Sequence, residues 1–581
     1  MNRHVELPKF ESPESPISKT KRYGLFWVLW LICFLVLFYN LGGAPLFEPD
    51  EGRNAEKARE ILLLNDWVTP HENFVPVLDK PIFYYWLVAL SFNFFGLSEW
   101  AARLPSVLAA IGCLVVVYRF ARIQLGYWES LWSPLVLVAG VEFFLLSRIV
   151  ILDMTLTFFT TLALHTFYSA ANAEKESARK IHCLLMYLAL AAGTLAKGLI
   201  GLVLPGMVFF FYLLFSGKWW ALKKMYLIPG ALLYISAVAP WYFWSNQRNP
   251  GYLQYYFWDE HFTRYFTEEF NRSKNWYYFP LVLGVGFLPW TLLLPLSVRN
   301  LIKDFDDKNL FLTLWVCLPL LFFSLSQSQL PHYILPILPA LAMLTARTVA
   351  HTFDHPTMRR LRWLYLPLLF LGIFAFYLLV GAIFVTLLPM EIRASVTANV
   401  RFIVASTLML ITLCVTLPVA NIRGYLKSQT SLYLFTCAGC MIFFMFTGQL
   451  MEGAAPHRSA KTLARTSASY VTRESQVVFY GTYLKGLIYY LRLSQPIWVV
   501  ALEGKSNLLR SPYVSRFLPD PAPGYGKVLF DFDEFGKAWK ETEKRLLVFL
   551  EERNLSRLEG QTGVRFRVLT RVTGYVLVST P

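Results

Sequence analysis

Carboxylates and cations recur beside aromatic rings at a few points of the chain. The first is Glu48-Pro-Asp-Glu-Gly-Arg53, where Asp50, Glu51 and Arg53 follow Pro45 and Pro49. Residues before proline are biased away from helix, so the approach is extended and Asp50 is expected to cap a helix from Gly52 to about Leu64. Asp79 and Lys80 stand just ahead of Tyr84; Asp153 follows Ser-Arg-Ile-Val-Ile-Leu; Lys197 lies in Ala-Lys-Gly. The segment Tyr255–Tyr265 sets Asp259, Glu260, His261 and Arg264 among rings, and His332 and Tyr333 follow a Ser- and Gln-rich run. If Tyr255–Tyr265 is helical, His261 and Arg264 share a face. A carboxylate can take a proton from an attacking hydroxyl or stabilise positive charge at a sugar carbon. Ammonium and guanidinium groups suit a phosphate, which arginine grips bidentately.

The elements that must position these residues are membrane helices. Of 581 residues 56% are hydrophobic and 16% charged, where an ordinary soluble chain carries roughly 25% charge. Apolar runs long enough for the roughly 20 residues that a crossing needs recur along the chain. Spans are expected near 24–41, 102–121, 130–147, 154–171, 182–196, 199–216, 226–240, 277–298, 310–325, 333–349, 363–388, 401–420 and 429–447. Lys and Arg concentrate on the cytoplasmic side. Here they fill alternate gaps, including Arg119 and Arg122, Lys223 and Lys224, Arg359 and Arg360, and Arg423 and Lys427. Thirteen spans then put the amino terminus inside, the carboxyl tail outside, and every chemistry-bearing segment named above on the outer side.

Three regions follow: an inner arm 1–23, a membrane domain 24–452 with a long first outer loop 42–101, and a tail 453–581. In the loop, Gly52–Leu64 reads as an amphipathic helix lying on the surface. Ile82–Phe95 is too short to cross and reads as interfacial. The tail alternates short β-branched runs (Val477–Tyr480, Ile497–Val500, Val528–Phe532) with helical stretches (Tyr483–Leu493, Glu534–Lys544) and reads as an α/β module. All seven cysteines fall in predicted helices, so the tail is not stapled by disulfides. The net charge of +16 belongs largely to inner loops facing an anionic leaflet. No basic stripe with interleaved aromatics argues for nucleic acid, and no phosphate loop or dinucleotide fingerprint is present. Composition leaves transport open, but a transporter more typically shows ionisable groups near midplane and repeated broken helices.

The ordered set Glu48–Arg53, Asp66-Trp-Val-Thr-Pro70, Asp79-Lys-Pro81 with Tyr84-Tyr-Trp86, Glu99–Pro105, Leu152-Asp-Met154, Ala196-Lys-Gly198, Asp259-Glu-His261 with Arg264, and Pro331-His-Tyr333 resembles the C-type membrane glycosyltransferases that use polyprenyl-phosphate sugars. The likeness is to the bacterial aminoarabinose-transferase and protein-mannosyltransferase-like group. It implies an inverting transfer from a polyprenyl-phosphate sugar, with Asp50 as the catalytic carboxylate. Lys80, Arg264 and Tyr333 would hold the leaving phosphate, Arg53 second to them; Asp153, Lys197 and Glu260 would line the site, with Glu51, Tyr84, Asp259 and His332 in support. A salt-bridge network that merely holds the first loop is the structural alternative. The resemblance also raises a divalent metal between Asp79 and His261, although two ligands are too few for a structural zinc site and Asp79 stands where Glu is expected. The partners implied are the lipid-linked donor, which is a substrate and not a cofactor, membrane lipids, and lipid A as acceptor for 4-amino-4-deoxy-L-arabinose. A hexose or galacturonic acid, passed to lipopolysaccharide core or protein, is the alternative. No nucleic acid partner and a monomer are expected, in the bacterial inner membrane with the tail in the periplasm.

Overall fold

A computed structural model describes residues 18–266, 273–354, 429–454, 458–502, 527–564, 566–572 and 574–580. The expected spans 363–388 and 401–420, with their flanking basic residues, lie outside the described residues. α1 (Lys19–Phe38), α4 (Glu99–Gln124), α7 (Leu152–Ala171), α8 (Glu176–Lys197), α9 (Ile200–Ser216) and α10 (Leu227–Arg248) coincide with expected spans. Among the described residues six helices are long and apolar enough to cross a membrane, or up to eight if each of two bent pairs counts as one span. Their facing sides share one apolar core that includes Leu29, Cys113, Trp132, Phe167, Tyr212 and Trp315, while Trp27, Phe34, Leu232 and Ile235 point outward, as lipid-facing residues do.

Two expected spans are broken. The stretch 130–147 is α5 (Tyr127–Val138) and α6 (Val141–Ser147), bent by 68°. The stretch 277–298 is Tyr278–Gly286 followed by Trp290–Lys303, bent by 107°. The breaks meet, since the Val141 N–H donates to the Leu288 carbonyl at 3.2 Å. Gly140 and Pro289 supply the local reason: glycine loosens the helix, and proline has no N–H to give to it.

The first outer loop departs further from expectation. α2 spans Asp50–Leu64, so Asp50 is the first helical residue and not the cap, and its carboxylate turns to Arg53 at 2.8 Å. Nor does α2 lie on a surface: Glu51, Asn54, Glu56, Lys57, Arg59 and Glu60 are all buried. The apolar pattern reads as a surface helix because Glu51, Lys57, Arg59 and Glu60 find partners distant in sequence, while Glu56 pairs with Arg59 within the helix. Arg103 of α4 clasps Glu51 at 2.9 and 2.8 Å and also donates to the Leu41, Ala44 and Pro45 carbonyls. Arg148 closes the end of α1 through the carbonyls of Val36, Leu37 and Tyr39. α3 (Phe83–Phe95) is the short apolar helix expected, and β1 (His71–Glu72) and β2 (Val75–Pro76) pair between α2 and α3.

The tail is an α/β domain. Its sheet runs in the order β5-β4-β3-β6-β8-β7, with β3 Gln476–Tyr480, β4 Trp498–Val500, β5 Leu529–Phe530, β6 Leu546–Glu551, β7 Arg567–Val572 and β8 Tyr575–Ser579. The first four strands are parallel and β8 pairs antiparallel with β6 and β7. β3 and β6 are buried on both faces, as parallel strands covered by helices must be. The domain seats on the first loop: Asn73 exchanges two hydrogen bonds with the Ile497 backbone, Arg59 donates to the Leu493 carbonyl, and Lys485 pairs with Glu72 at 2.9 Å.

Candidate active site

Six separate segments bring their polar ends to one place. Asp50 and Arg53 come from the first turn of α2, and Lys57 one turn later pairs with Asp79 at 2.9 Å. Lys80 donates to the Asp79 carbonyl at 2.8 Å and to Glu260 at 3.1 Å. Glu260 lies in a π-helical stretch, Tyr255–Thr263; such stretches are rare and frequent at functional sites. There it also accepts from the Tyr255 hydroxyl at 3.1 Å and from Arg264 at 2.7 Å. Arg264 continues to the Tyr333 hydroxyl at 3.4 Å and to Ser328.

The circuit closes through the membrane helices. The Lys197 ammonium stands 4.7 Å from the centre of the Tyr333 ring and pairs with Asp153, the second residue of α7. Asp153 is 3.8 Å from His332. The field of Asp50 reaches His332 in turn, and the fields of Asp79 and Asp50 both act on Arg53. Arg53, Lys57, Lys80, Arg264 and Lys197 supply five cations against the four carboxylates Asp50, Asp79, Glu260 and Asp153. Among these described residues one positive charge is therefore left over, which matches the single negative charge of a phosphodiester. Arg53 Nε is buried and has no hydrogen-bond partner.

Charge sets the protonation of this ring. Burial would raise the Glu260 carboxyl, but Lys80 and Arg264 outweigh it and hold it down at about 2. Burial likewise opposes Asp79, which Lys57, Arg53 and Lys80 hold far below the usual carboxylate range. Both are carboxylates at neutral pH and keep the cations aimed. Asp50 differs: its side chain is 58% exposed, open to an incoming substrate.

Other expected residues sit apart from this ring. Glu51 is spent on Arg103 and on the N–H groups of Phe47 and Val150, which fixes the turn carrying Asp50 against the turn carrying Asp153. Tyr84 is fully buried with its hydroxyl on Ser106 at 3.0 Å. Asp259 is partly exposed on the π-helical stretch. His261 does not join Arg264: its Nδ1 lies 2.7 Å from the Tyr256 carbonyl and its Nε2 accepts the Leu199 N–H at 3.3 Å. With nine residues wound in a π-helix, a residue three positions on no longer shares the face. Both ring nitrogens of His261 are thus engaged, and Asp79 is held by Lys57. This arrangement does not fit a metal shared by the two.

Sequence reasoning missed Lys57, Arg103 and Tyr255. Arg103 lay inside a quoted motif, and its neighbour Glu99 drew no role either. Gly198 shows why Lys197 is presented as it is. Its φ is +88°, and a Cβ there would lie 2.1 Å from the Tyr256 hydroxyl and 3.0 Å from His261, so only glycine ends α8 against the π-helical stretch.

Comparison with known proteins agrees with this architecture. Residues 79–244 match the family model described as dolichyl-phosphate-mannose-protein mannosyltransferase. An undecaprenyl phosphate-alpha-4-amino-4-deoxy-L-arabinose arabinosyl transferase of Pseudomonas aeruginosa is 34% identical over 351 residues, 58% of this chain and 60% of the relative. One of Aeromonas salmonicida is 32% identical over 58% of this chain and 62% of its own length. The match thus spans about three fifths of these curated relatives. The crystal structure of ArnT from Cupriavidus metallidurans bound to undecaprenyl phosphate superposes with a TM-score of 0.82 at 25% identity, covering 96% of this chain and 98% of the other. This multi-pass membrane chain has the C-type membrane glycosyltransferase fold and is similar in sequence to the aminoarabinose transferases.

Proposed function

We propose that the chain is an inverting glycosyltransferase that moves 4-amino-4-deoxy-L-arabinose from undecaprenyl phosphate to lipid A. The observation that carries this reading is the ring with one surplus cation at the outer helix ends, next to an exposed carboxylate. The relatives named above act on that donor, and the solved neighbour holds undecaprenyl phosphate.

Asp50, oriented by Arg53, takes the proton of the acceptor oxygen or orients that oxygen against the sugar. The oxygen forms its bond to the anomeric carbon as the carbon's bond to the phosphate oxygen breaks from the opposite side. The electron pair leaves with undecaprenyl phosphate, and no covalent sugar-enzyme intermediate forms. Lys80, Arg264 and the Tyr333 hydroxyl meet the charge that develops on the leaving phosphate. Glu260 keeps Lys80 and Arg264 side by side, and Asp153 holds Lys197 beside them. No nucleotide enters the step. The reading places the chain in the bacterial inner membrane with thirteen spans, the amino terminus inside and the 453–581 domain in the periplasm, working as a monomer.

The test is transfer in proteoliposomes supplied with undecaprenyl-phosphate aminoarabinose and lipid A. Release of undecaprenyl phosphate, with lipid A gaining one aminopentose by mass spectrometry, is expected. Unchanged lipid A beside a modified core sugar or glycoprotein would overturn the acceptor. Movement of a solute without covalent turnover would overturn the transferase.

A further inference from the structure

Among the described residues, the C-terminal domain meets the turn that carries Asp50 through Arg458, Gly486 and Tyr490. The Gly486 N–H donates to Glu48 Oε1 at 2.6 Å, and the Glu48 N–H donates to the Arg458 carbonyl at 2.9 Å. Two residues earlier, the Leu46 N–H donates to the Tyr490 hydroxyl at 2.7 Å. Glu48 stands two residues before Asp50, so this small patch of the tail domain fixes the chain that delivers the carboxylate.

A second observation supports a built contact. Gly52, in the first turn of α2, lies against Gly486: a Cβ on Gly52 would come within 2.6 Å of Gly486 Cα, and one on Gly486 within 2.4 Å of Glu48 Oε1. Glycine within a helix is destabilising relative to alanine, and neither residue sits at positive φ, so close approach of the two backbones is what requires them.

We propose that Glu48 is a positioning residue through which the C-terminal domain holds Asp50 in place, making that domain a working part of the catalytic site and not a cover over it. The proposal rests on the reading of Asp50 as the group that engages the acceptor. Its chemistry is simple: the bond from Gly486 fixes the turn 46–53, and with it the direction of the Asp50 carboxylate.

The groups facing Glu48 add a pH dependence. Burial pushes its carboxyl up to about 7, against the Gly486 N–H and Lys485, which pull it down, while Glu72 adds to the rise. Tyr575 of β8 also feels it, and Arg53 and Lys57 act on Lys485. As pH rises through about 7 Glu48 ionises against the cost of its burial, so the buried contact with Gly486 is favoured below that range and loosens above it.

Three variants in the proteoliposome assay test this. Glu48→Gln keeps an acceptor oxygen for Gly486, so kcat stays within about threefold of wild type and the fall of kcat that Glu48 ionisation causes as pH rises past about 7 disappears. Glu48→Ala removes the acceptor and Gly52→Ala wedges the backbones apart; each lowers kcat by about tenfold or more, since small misplacements of a reacting group are costly. Donor KM stays unchanged in both, because Lys80, Arg264 and Tyr333 lie on other segments. Should Gly52→Ala fail to fold, Glu48→Ala carries the test. A wild-type protein without transfer overturns the function itself. A wild type that turns over beside an equally active Glu48→Ala overturns only the positioning role, as does a Glu48→Ala in which kcat, donor KM and thermal midpoint all fall together.

Discussion

The two ends of α7 carry ionisable clusters of opposite character. Near its last turn, the Tyr168 and Tyr212 hydroxyls both donate to Asp307 at 2.9 Å, and Lys218 donates to Asp307, Tyr212 and Asn172. Arg347 alongside clasps Asp306 at 2.7 Å. Lys218 and Arg347 each have a carboxylate there, and the hydroxyls are spent inside the network. At the first turn, Asp153 joins a ring with a cation to spare and an exposed carboxylate at Asp50. The two clusters are roughly 22 Å apart at 1.5 Å per residue. Both contain ionisable groups at helix ends; at the Asp307 end the two paired cations match their carboxylates, and at the Asp153 end the named cations outnumber the carboxylates by one. Charge at a helix end is thus weak evidence of function until its partners are counted.

The strongest way to break this contrast is Asp50→Asn, which preserves shape and removes the carboxylate. Transfer should fall by about 100-fold or more with unchanged expression; near-normal turnover in the proteoliposome assay would return the Asp50 cluster to a structural role. Next in size is Arg264→Ala or Lys80→Ala. Each should lower kcat/KM by about 10- to 100-fold and weaken undecaprenyl phosphate binding, because each leaves Glu260 less compensated as well as the phosphate less supported. Titration with undecaprenyl phosphate separates this from misfolding.

Asp307→Asn at the other end sharpens the comparison from below. Two hydroxyls and Lys218 lose a charged acceptor there, so the thermal midpoint in detergent should drop by the equivalent of about 1–3 kcal/mol, with turnover unchanged. A large loss of transfer would show that the Asp307 network also serves the reaction. The smallest effect is on pH. Glu260 is depressed to about 2, so its contribution to stability is fully present above its unfolded value near 4.3 and is lost only as pH falls through about 2. Donor binding carried by Lys80 and Arg264 should therefore not titrate with Glu260 between pH 5 and 8. A step in undecaprenyl phosphate affinity in that range that vanishes in Glu260→Gln would contradict the assignment.

Much of this protein is determined by local sequence. Apolar runs specify where α1, α4, α8 and α10 lie, because a backbone in hydrocarbon must satisfy its own hydrogen bonds and only helices of sufficient length do so. The parallel strands β3 and β6 are legible as short β-branched runs, and the site residues Lys80, Glu260, Arg264 and Tyr333 as polar exceptions at helix ends. Tertiary structure decided what periodicity could not carry. α2 reads as a surface helix by its pattern, yet Lys57, Glu51 and Arg59 are buried because Asp79, Arg103 and Leu493 reach them from far along the chain. His261 and Arg264 part company because the stretch winds as a π-helix, a choice made by packing against Gly198 and Leu199 and not by residue type. Local pattern records which face is apolar; which charge finds which partner depends on distances that exist only once the helices have packed.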